Sequence, residues 1–193
     1  MQRRDKFHTV FKKAVELLTE TGTPYLLVGG LAAGFLGEAR VTNDADFIVS
    51  INKKKLKSLL KVARKKGFDF PKEKLWEIFS LRGVFRLFYG GLWVDFIRAS
   101  INLEKEAFQR KRKVKLMRKE VFIPSPEDLI LFKIIPARDI DLVDIKRILT
   151  RWWDKLDRKY IEKWAMKISD EAEDTRVYNR LKKIMKEVEK VTE

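Results

Sequence analysis

The sequence predicts an α+β fold: a core of about 120 residues followed by a helical segment. Three observations carry this. Short β-rich runs fall between residues 25 and 122, apolar residues recur at helical spacing around them, and a helix-start signal at Ser125 opens a helical pattern that continues to the C-terminus.

Taken in order, Phe7, Val10, Phe11, Ala14 and Leu18 mark a helix over residues 5–20. Thr21-Gly22-Thr23-Pro24 stops it and leads into an apolar strand from Tyr25 to Val28. Gly29-Gly30 breaks that strand, and Leu31 to Leu36 reads as a short helix. Residues 44–51 (DADFIVSI) form the next strand, and a basic amphipathic helix follows over 53–66 with Leu56, Leu59, Leu60 and Ala63 on its buried face. VFRLFY (84–89) and LWVDFI (92–97), joined by Gly90-Gly91, have the pattern of a hairpin. A further strand pair is expected around 113–122. Ser125 then caps a helix with Pro126 at its first position and acids in its first turn. Later helices show the stripes Leu142, Ile145, Leu149, Trp152, then Ile161, Trp164, Ile168, then Val177, Leu181, Ile184, Val188. The expected domains are residues 1–124 as the core and 125–193 as a helical segment packed on it. There is no internal repeat and no low-complexity linker.

Composition narrows the function classes. Hydrophobic residues make up 45% of the 193, enough for a sizeable core. The absence of cysteine excludes disulfides, thiolate metal sites and a cysteine nucleophile. No apolar run reaches bilayer length and the N-terminus lacks a signal-peptide apolar region, so a cytoplasmic protein without membrane partners is expected. The 43 Lys and Arg against 28 acids give a net charge of +15 and favour polyanionic partners, nucleic acid first. A charge-rich surface of the hyperthermophile kind accounts for charges of both signs but not for the imbalance.

The chemistry-bearing constellation is Gly29-Gly30, then Asp44-Ala45-Asp46, then Asp95. Side chains alternate along a strand, so Asp44 and Asp46 share a face. Two carboxylates held together repel unless a cation lies between them. Oxygen-only ligands suit Mg²⁺ or Mn²⁺, which retain coordination positions for substrate phosphates. Asp95 sits in the otherwise apolar run Leu92 to Ile97, where a carboxylate needs a partner. The double glycine lets backbone approach a phosphate at a helix N-terminus. It is neither a P-loop, since no Gly-Lys-Ser/Thr follows, nor a dinucleotide-binding fingerprint.

The stretch VGGLAAGFLGEARVTNDADFIV resembles the signature of the nucleotidyltransferase (DNA polymerase β-like) superfamily, in particular its minimal, AbiEii-like branch. That branch reads G-G/S-x-A and then R-x-T-x-D-x-D, here Gly29, Gly30, Ala32, Arg40, Thr42, Asp44 and Asp46. The third carboxylate of the superfamily falls on Asp95. A second block, SPEDLILFKIIPARDIDLVDI, resembles the branch's PEDL, lysine and R-x-x-D-x-x-D, here Pro126 to Leu129, Lys133, Arg138, Asp141 and Asp144. The likeness covers about residues 25–145.

What the resemblance implies is a mixed-sheet nucleotidyltransferase core and transfer of NMP from an NTP to a hydroxyl acceptor. Asp44 and Asp46 would hold the metal that grips the triphosphate, and with Asp95 a second metal that activates the acceptor. Gly29 and Gly30 would meet the phosphates through backbone amides, although many relatives carry serine at the second position. Lys133 would neutralise phosphate charge, with Arg40 a second candidate. Asp141 and Asp144 would orient Lys133, with Asp139 close enough to share the role. Read from the residues alone, this acidic trio is equally a solvated helix face paired to Lys146 and Arg147. The implied acceptors are RNA, such as a tRNA end, or a partner protein, and a cognate antitoxin or toxin is an implied partner. An antibiotic-type transferase acting on polyamines fits the charge poorly. A non-catalytic nucleotide- or RNA-binding module is the remaining alternative.

Residues 53–66 hold eight Lys/Arg and no acid, and residues 110–119 hold seven. Each is either a solvated face or a phosphate-tracking groove for RNA. Trp152 falls on a core stripe while Trp153 lies off it, and the single histidine, His8, is expected at the surface.

Overall fold

A computed structural model describes residues 3–192. They form two compact units, residues 3–31 with 41–123 and residues 32–40 with 124–192. That residues 32–40 cluster with the C-terminal helices has no counterpart in the sequence pattern.

The first unit contains α1 (Arg3–Glu20), β1 (Tyr25–Val28), the start of α2 (Gly29–Leu36), β2 (Ala45–Val49), α3 (Lys53–Lys65), α4 (Lys72–Arg82), β3 (Val84–Tyr89), β4 (Leu92–Arg98), α5 (Asn102–Gln109), β5 (Arg112–Leu116) and β6 (Lys119–Ile123). Four strands make a mixed sheet in the order β1-β2-β4-β3, while β5 and β6 form a separate antiparallel ribbon. β1 is antiparallel to β2, β2 parallel to β4, and β4 antiparallel to β3.

The period of two along each strand sorts the side chains. Phe47, Phe96 and Phe85 lie in register across β2, β4 and β3. Their rings stack, Phe47 on Phe96 at 5.6 Å and Phe96 on Phe85 at 4.7 Å between centroids. Phe11 of α1 and Phe79 of α4 extend the row at its two ends, and all five rings are fully buried. Truncating such a ring in a close-packed interior costs about 3–5 kcal/mol. This row therefore decides which sheet face turns inward, and it leaves the intervening residues, Asp46, Asp95 and Arg86, on the opposite face.

α4 and α5 have no counterpart in the sequence reading. α4 buries only Leu75 and Phe79, too few positions to set a period. Its punctuation was nevertheless legible: Pro71 precedes it and Gly83 ends it in the left-handed region at φ 70°. α5 is started by its own Glu104, whose carboxylate accepts the backbone N–H of Ser100 and, at 2.9 Å, of Ile101.

The second unit holds the end of α2 with α6 (Pro126–Ile134), α7 (Asp139–Trp152), a 3₁₀ turn (Trp153–Lys155), α8 (Arg158–Glu171) and α9 (Arg176–Thr192). Leu129, Ile130, Leu131, Ile145, Ile148, Leu149, Ile161, Leu181 and Ile184 form its interior. The acids after Pro126 are structural. Ser125 caps α6, its Oγ accepting the Asp128 N–H at 3.1 Å. Fully buried Asp128 accepts the hydroxyls of Ser125 at 2.7 Å and of Tyr160 at 2.6 Å. Glu127 accepts the Asp157 N–H at 3.2 Å, a second tie from α6 to the start of α8.

Trp152 is less buried than its place on the core stripe predicts. Trp153 is the buried one, beneath the Arg158 guanidinium at 4.9 Å, while Trp152 is half-buried and donates its indole N–H to the Leu36 carbonyl at 2.7 Å. The α-helical stripe cannot be extrapolated because the chain tightens into a 3₁₀ turn at Trp153.

Candidate active site

The carboxylate site of the first unit is assembled by strand register. Val28, the last residue of β1, pairs with Asp46, and Asp46 pairs in parallel with Asp95 of β4. Residues in register share a face, so the two carboxylates are cross-strand neighbours. Asp44 lies just before β2 and is exposed. Its backbone N–H reaches the Thr42 hydroxyl at 3.4 Å, a long contact that ties the threonine to the start of the strand.

Gly29 follows Val28, and this brings it against Asp46. Its φ of +65° suits glycine. An ideal Cβ at this position would stand 2.0 Å from Asp46 Oδ2 and 2.9 Å from its Cγ. A bare backbone at residue 29 is thus the condition for the Asp46 carboxylate to lie where it does. Gly30, buried, forms the first turn of α2 with it.

Asp95 has a partner that the sequence reading did not include. Arg86 stands directly opposite it on β3 and forms a two-pronged ion pair, Nε to Oδ1 and Nη2 to Oδ2, the second at 3.1 Å. The Arg86 guanidinium also lies 5.4 Å from the Trp93 ring centre. The pair is partly solvated, with side chains 57% and 33% exposed. A signal for it existed. A two-residue Gly90-Gly91 turn fixes hairpin register, and counting outward from it places residue 86 against residue 95.

Among the described residues, no three His, Cys, Asp or Glu side chains stand together as a metal-holding group. Asp44 and Asp46 offer hard oxygen donors two residues apart beside an open backbone. That donor chemistry suits a Mg²⁺ or Mn²⁺ ion. Asp95 offers its carboxylate only in exchange for Arg86.

The second sequence block forms its own network within the second unit. Lys133 is buried, and its Nζ lies 2.9 Å from Asp141 Oδ1 and 2.9 Å from Asp144 Oδ2. Arg40 grips Asp144 with two contacts of 3.0 and 3.1 Å, and Arg138 grips Asp141 with contacts of 2.6 and 3.2 Å. Both acids are about 1% exposed, whereas Asp139 faces solvent. The solvated-face reading therefore fails for Asp141 and Asp144. Lys146 and Arg147 pair instead with Glu187 and Glu38, each at 2.7 Å. Burial raises the Asp141 pKa, but the hydrogen bonds and charges of Arg138 and Lys133 outweigh it and hold the carboxyl below its usual range. The arginine of R-x-T-x-D-x-D thus joins this network, while the threonine and aspartates belong to the first unit, only Asp46 of them within β2.

Comparisons with known proteins agree with this architecture. No curated protein matches the chain. The solution structure of the antibiotic-resistance factor ANT(2'')-Ia is similar with a TM-score of 0.50 at 16% identity, over 86% of this chain and 92% of that one. An antigenic nucleotidyltransferase-like protein from Paracoccidioides brasiliensis aligns with a TM-score of 0.45 at 16% identity, over 75% of this chain and 76% of that one. At such identities the likeness to ANT(2'')-Ia speaks to fold alone. The family described as "Nucleotidyltransferase of unknown function (DUF6036)" matches residues 5–192, nearly the whole chain, and the protein belongs to that nucleotidyltransferase family.

Proposed function

We propose that the protein transfers NMP from an NTP to a hydroxyl acceptor, RNA or a partner protein, with release of pyrophosphate. The observation that carries this is the conjunction at Gly29: a left-handed glycine whose missing Cβ leaves room for Asp46, itself in register with Asp95. A turn glycine alone has no need of a carboxylate at that position.

In this reading Asp44 and Asp46 hold a divalent ion, which when bound supplies charge neutralisation for the triphosphate and its leaving group. Gly29 and Gly30 let backbone amides approach the phosphates at the start of α2. Asp95 accepts the proton of the acceptor hydroxyl, or contributes a ligand, once Arg86 has swung aside. Arg86, released, is a cation available to the triphosphate from the same sheet face. Lys133 and Arg40 are proposed to contribute positive charge toward phosphate, with Asp141 and Asp144 orienting Lys133. No helix among the described residues is long and apolar enough to cross a membrane.

The test is incubation with α-labelled NTPs, Mg²⁺ and total RNA or cell protein, comparing the protein with Asp44→Asn. Acceptor labelling that disappears in the variant is expected. Labelling that persists in Asp44→Asn overturns the carboxylate assignment, and NTP binding without any labelled acceptor favours the non-catalytic module.

A further inference from the structure

The two basic stretches behave differently once folded. In residues 110–119, Lys113 pairs with Glu120 at 2.6 Å, Lys119 with Glu16 at 2.8 Å, and Lys111 lies 4.7 Å from the Phe122 ring centre. Their charge is largely taken up by local partners. Among the described residues of 53–66, only Lys66 has an acidic partner, Glu20. Lys57, Lys61 and Arg64 follow one another at i, i+4 and i+7 along the exposed side of α3, a single stripe.

That stripe borders a pocket of about 250 Å³ lined by Lys57, Leu60, Lys61, Arg64, Phe70, Lys72 and Trp76. Four of its lining residues are cations and none is an acid. Among the described residues none of the four has an acidic partner, the nearby acids in sequence being exposed Asp69, which accepts the Phe70 N–H at 2.8 Å, and Glu73 and Glu77 on α4. The pocket also contains two aromatic side chains. The Arg64 guanidinium lies 4.9 Å from the centre of the Phe70 ring, and half-buried Trp76 is fixed edge-on against Phe79 at 6.4 Å. None of these residues belongs to the carboxylate site.

Uncompensated cations repel one another, so a row of them beside an aromatic pocket is stable chiefly because solvent screens it. It is also the composition that holds single strands of nucleic acid: cations tracking phosphates and rings on which an unpaired base stacks. A duplex offers its phosphates but no free base face to such a pocket. An acidic peptide would use the cations and leave the rings without a partner.

We propose that the α3–α4 pocket binds single-stranded RNA, with Lys57, Lys61, Arg64 and Lys72 meeting the phosphates and a base stacking on Trp76. This does not depend on nucleotidyl transfer, since none of the pocket's residues is used in that reading.

The experiment is fluorescence anisotropy of a labelled short oligouridylate with the full chain over a range of salt concentrations. Lys57→Glu/Lys61→Glu is expected to weaken binding at least about tenfold, and to reduce the slope of log K against log salt by about 0.7 for each phosphate no longer neutralised. Trp76→Ala is expected to weaken binding about tenfold with the slope unchanged, as removal of one stacked base requires. These positions are exposed or half-buried, and unchanged circular dichroism confirms that each variant is folded. The proposal is overturned if Lys183→Glu/Lys186→Glu on α9 weakens binding as much, which means diffuse charge alone. It is equally overturned if Trp76→Ala has no effect, if duplex RNA binds as well as the single strand, or if polyglutamate competes as well as unlabelled oligouridylate.

Discussion

Substituting Gly29 by alanine separates backbone strain from steric displacement, because the chain supplies a matched control. At Gly29 the added methyl stands 2.0 Å from Asp46 Oδ2, more than an ångström inside ordinary contact, and φ is +65°. At Gly22 φ is a similar +57°, yet nothing lies within 4 Å of the added Cβ. Gly22→Ala therefore measures the left-handed penalty alone, about 1–2 kcal/mol. In a chain of this size that lowers Tm by roughly 2–8 °C, at 2–4 °C per kcal/mol.

Gly29→Ala carries the same penalty and must also rotate the Asp46 carboxylate away from its position. Its Tm is expected to fall only modestly further, since Asp46 is half-buried and can swing toward water. Mn²⁺ affinity and NMP transfer should fall about tenfold or more, the scale of one displaced charged ligand at about 1.4 kcal/mol or above. The assays are thermal melting and Mn²⁺ titration by calorimetry or electron paramagnetic resonance, on both variants. If Gly29→Ala binds Mn²⁺ as tightly as Gly22→Ala does, the coupling of residue 29 to the carboxylate site is wrong.

The buried network of the second unit makes two further predictions. Lys133→Met leaves two buried carboxylates, each with one arginine, so the cost sits near the lower end of the 3–5 kcal/mol of a broken buried pair. A drop in Tm of roughly 6–12 °C is expected from a loss of about 3 kcal/mol, and a shift under 2–3 °C would count against the network. Asp141 has a depressed pKa in the folded state, so its stabilising contribution is present above the unfolded value near 3.9 and is lost as pH falls through the folded value. The Tm gap between the parent and Asp141→Asn should therefore be full at pH 5 and above and narrow on acidification below about pH 4. A gap independent of pH refutes the charged pairing.

How far the sequence reached depends on where the deciding interactions lie. Local periods and turn chemistry set the strand before Gly29, the helix over 53–66, the hairpin about Gly90-Gly91 and the cap at Ser125. Each of these relies on contacts within a few residues. The nucleotidyltransferase family is likewise written in short blocks of fixed order. α4 and α5 were not legible because each buries too few residues to leave a period, and burial passed from Trp152 to Trp153 where an α-helix tightened.

The site divides the same way. Asp44 and Asp46 were legible as a spaced carboxylate pair beside a glycine pair, but only Asp46 lies within β2, with Asp44 just before it. Tertiary structure decided what surrounds them. Gly29 meets Asp46 because β1 and β2 pair antiparallel, and Arg86 takes Asp95 because two side chains fall opposite across a hairpin. Lys133, Asp141 and Asp144 became a buried cluster, gripped by Arg40 and the more exposed Arg138, because segments distant in sequence closed around the same charges. Composition counted two equivalent basic stretches. Only the fold showed that Lys113 and Lys119 of one stretch pair with acids while Lys57, Lys61 and Arg64 of the other face solvent, since ion pairing depends on distances that a one-dimensional count does not contain.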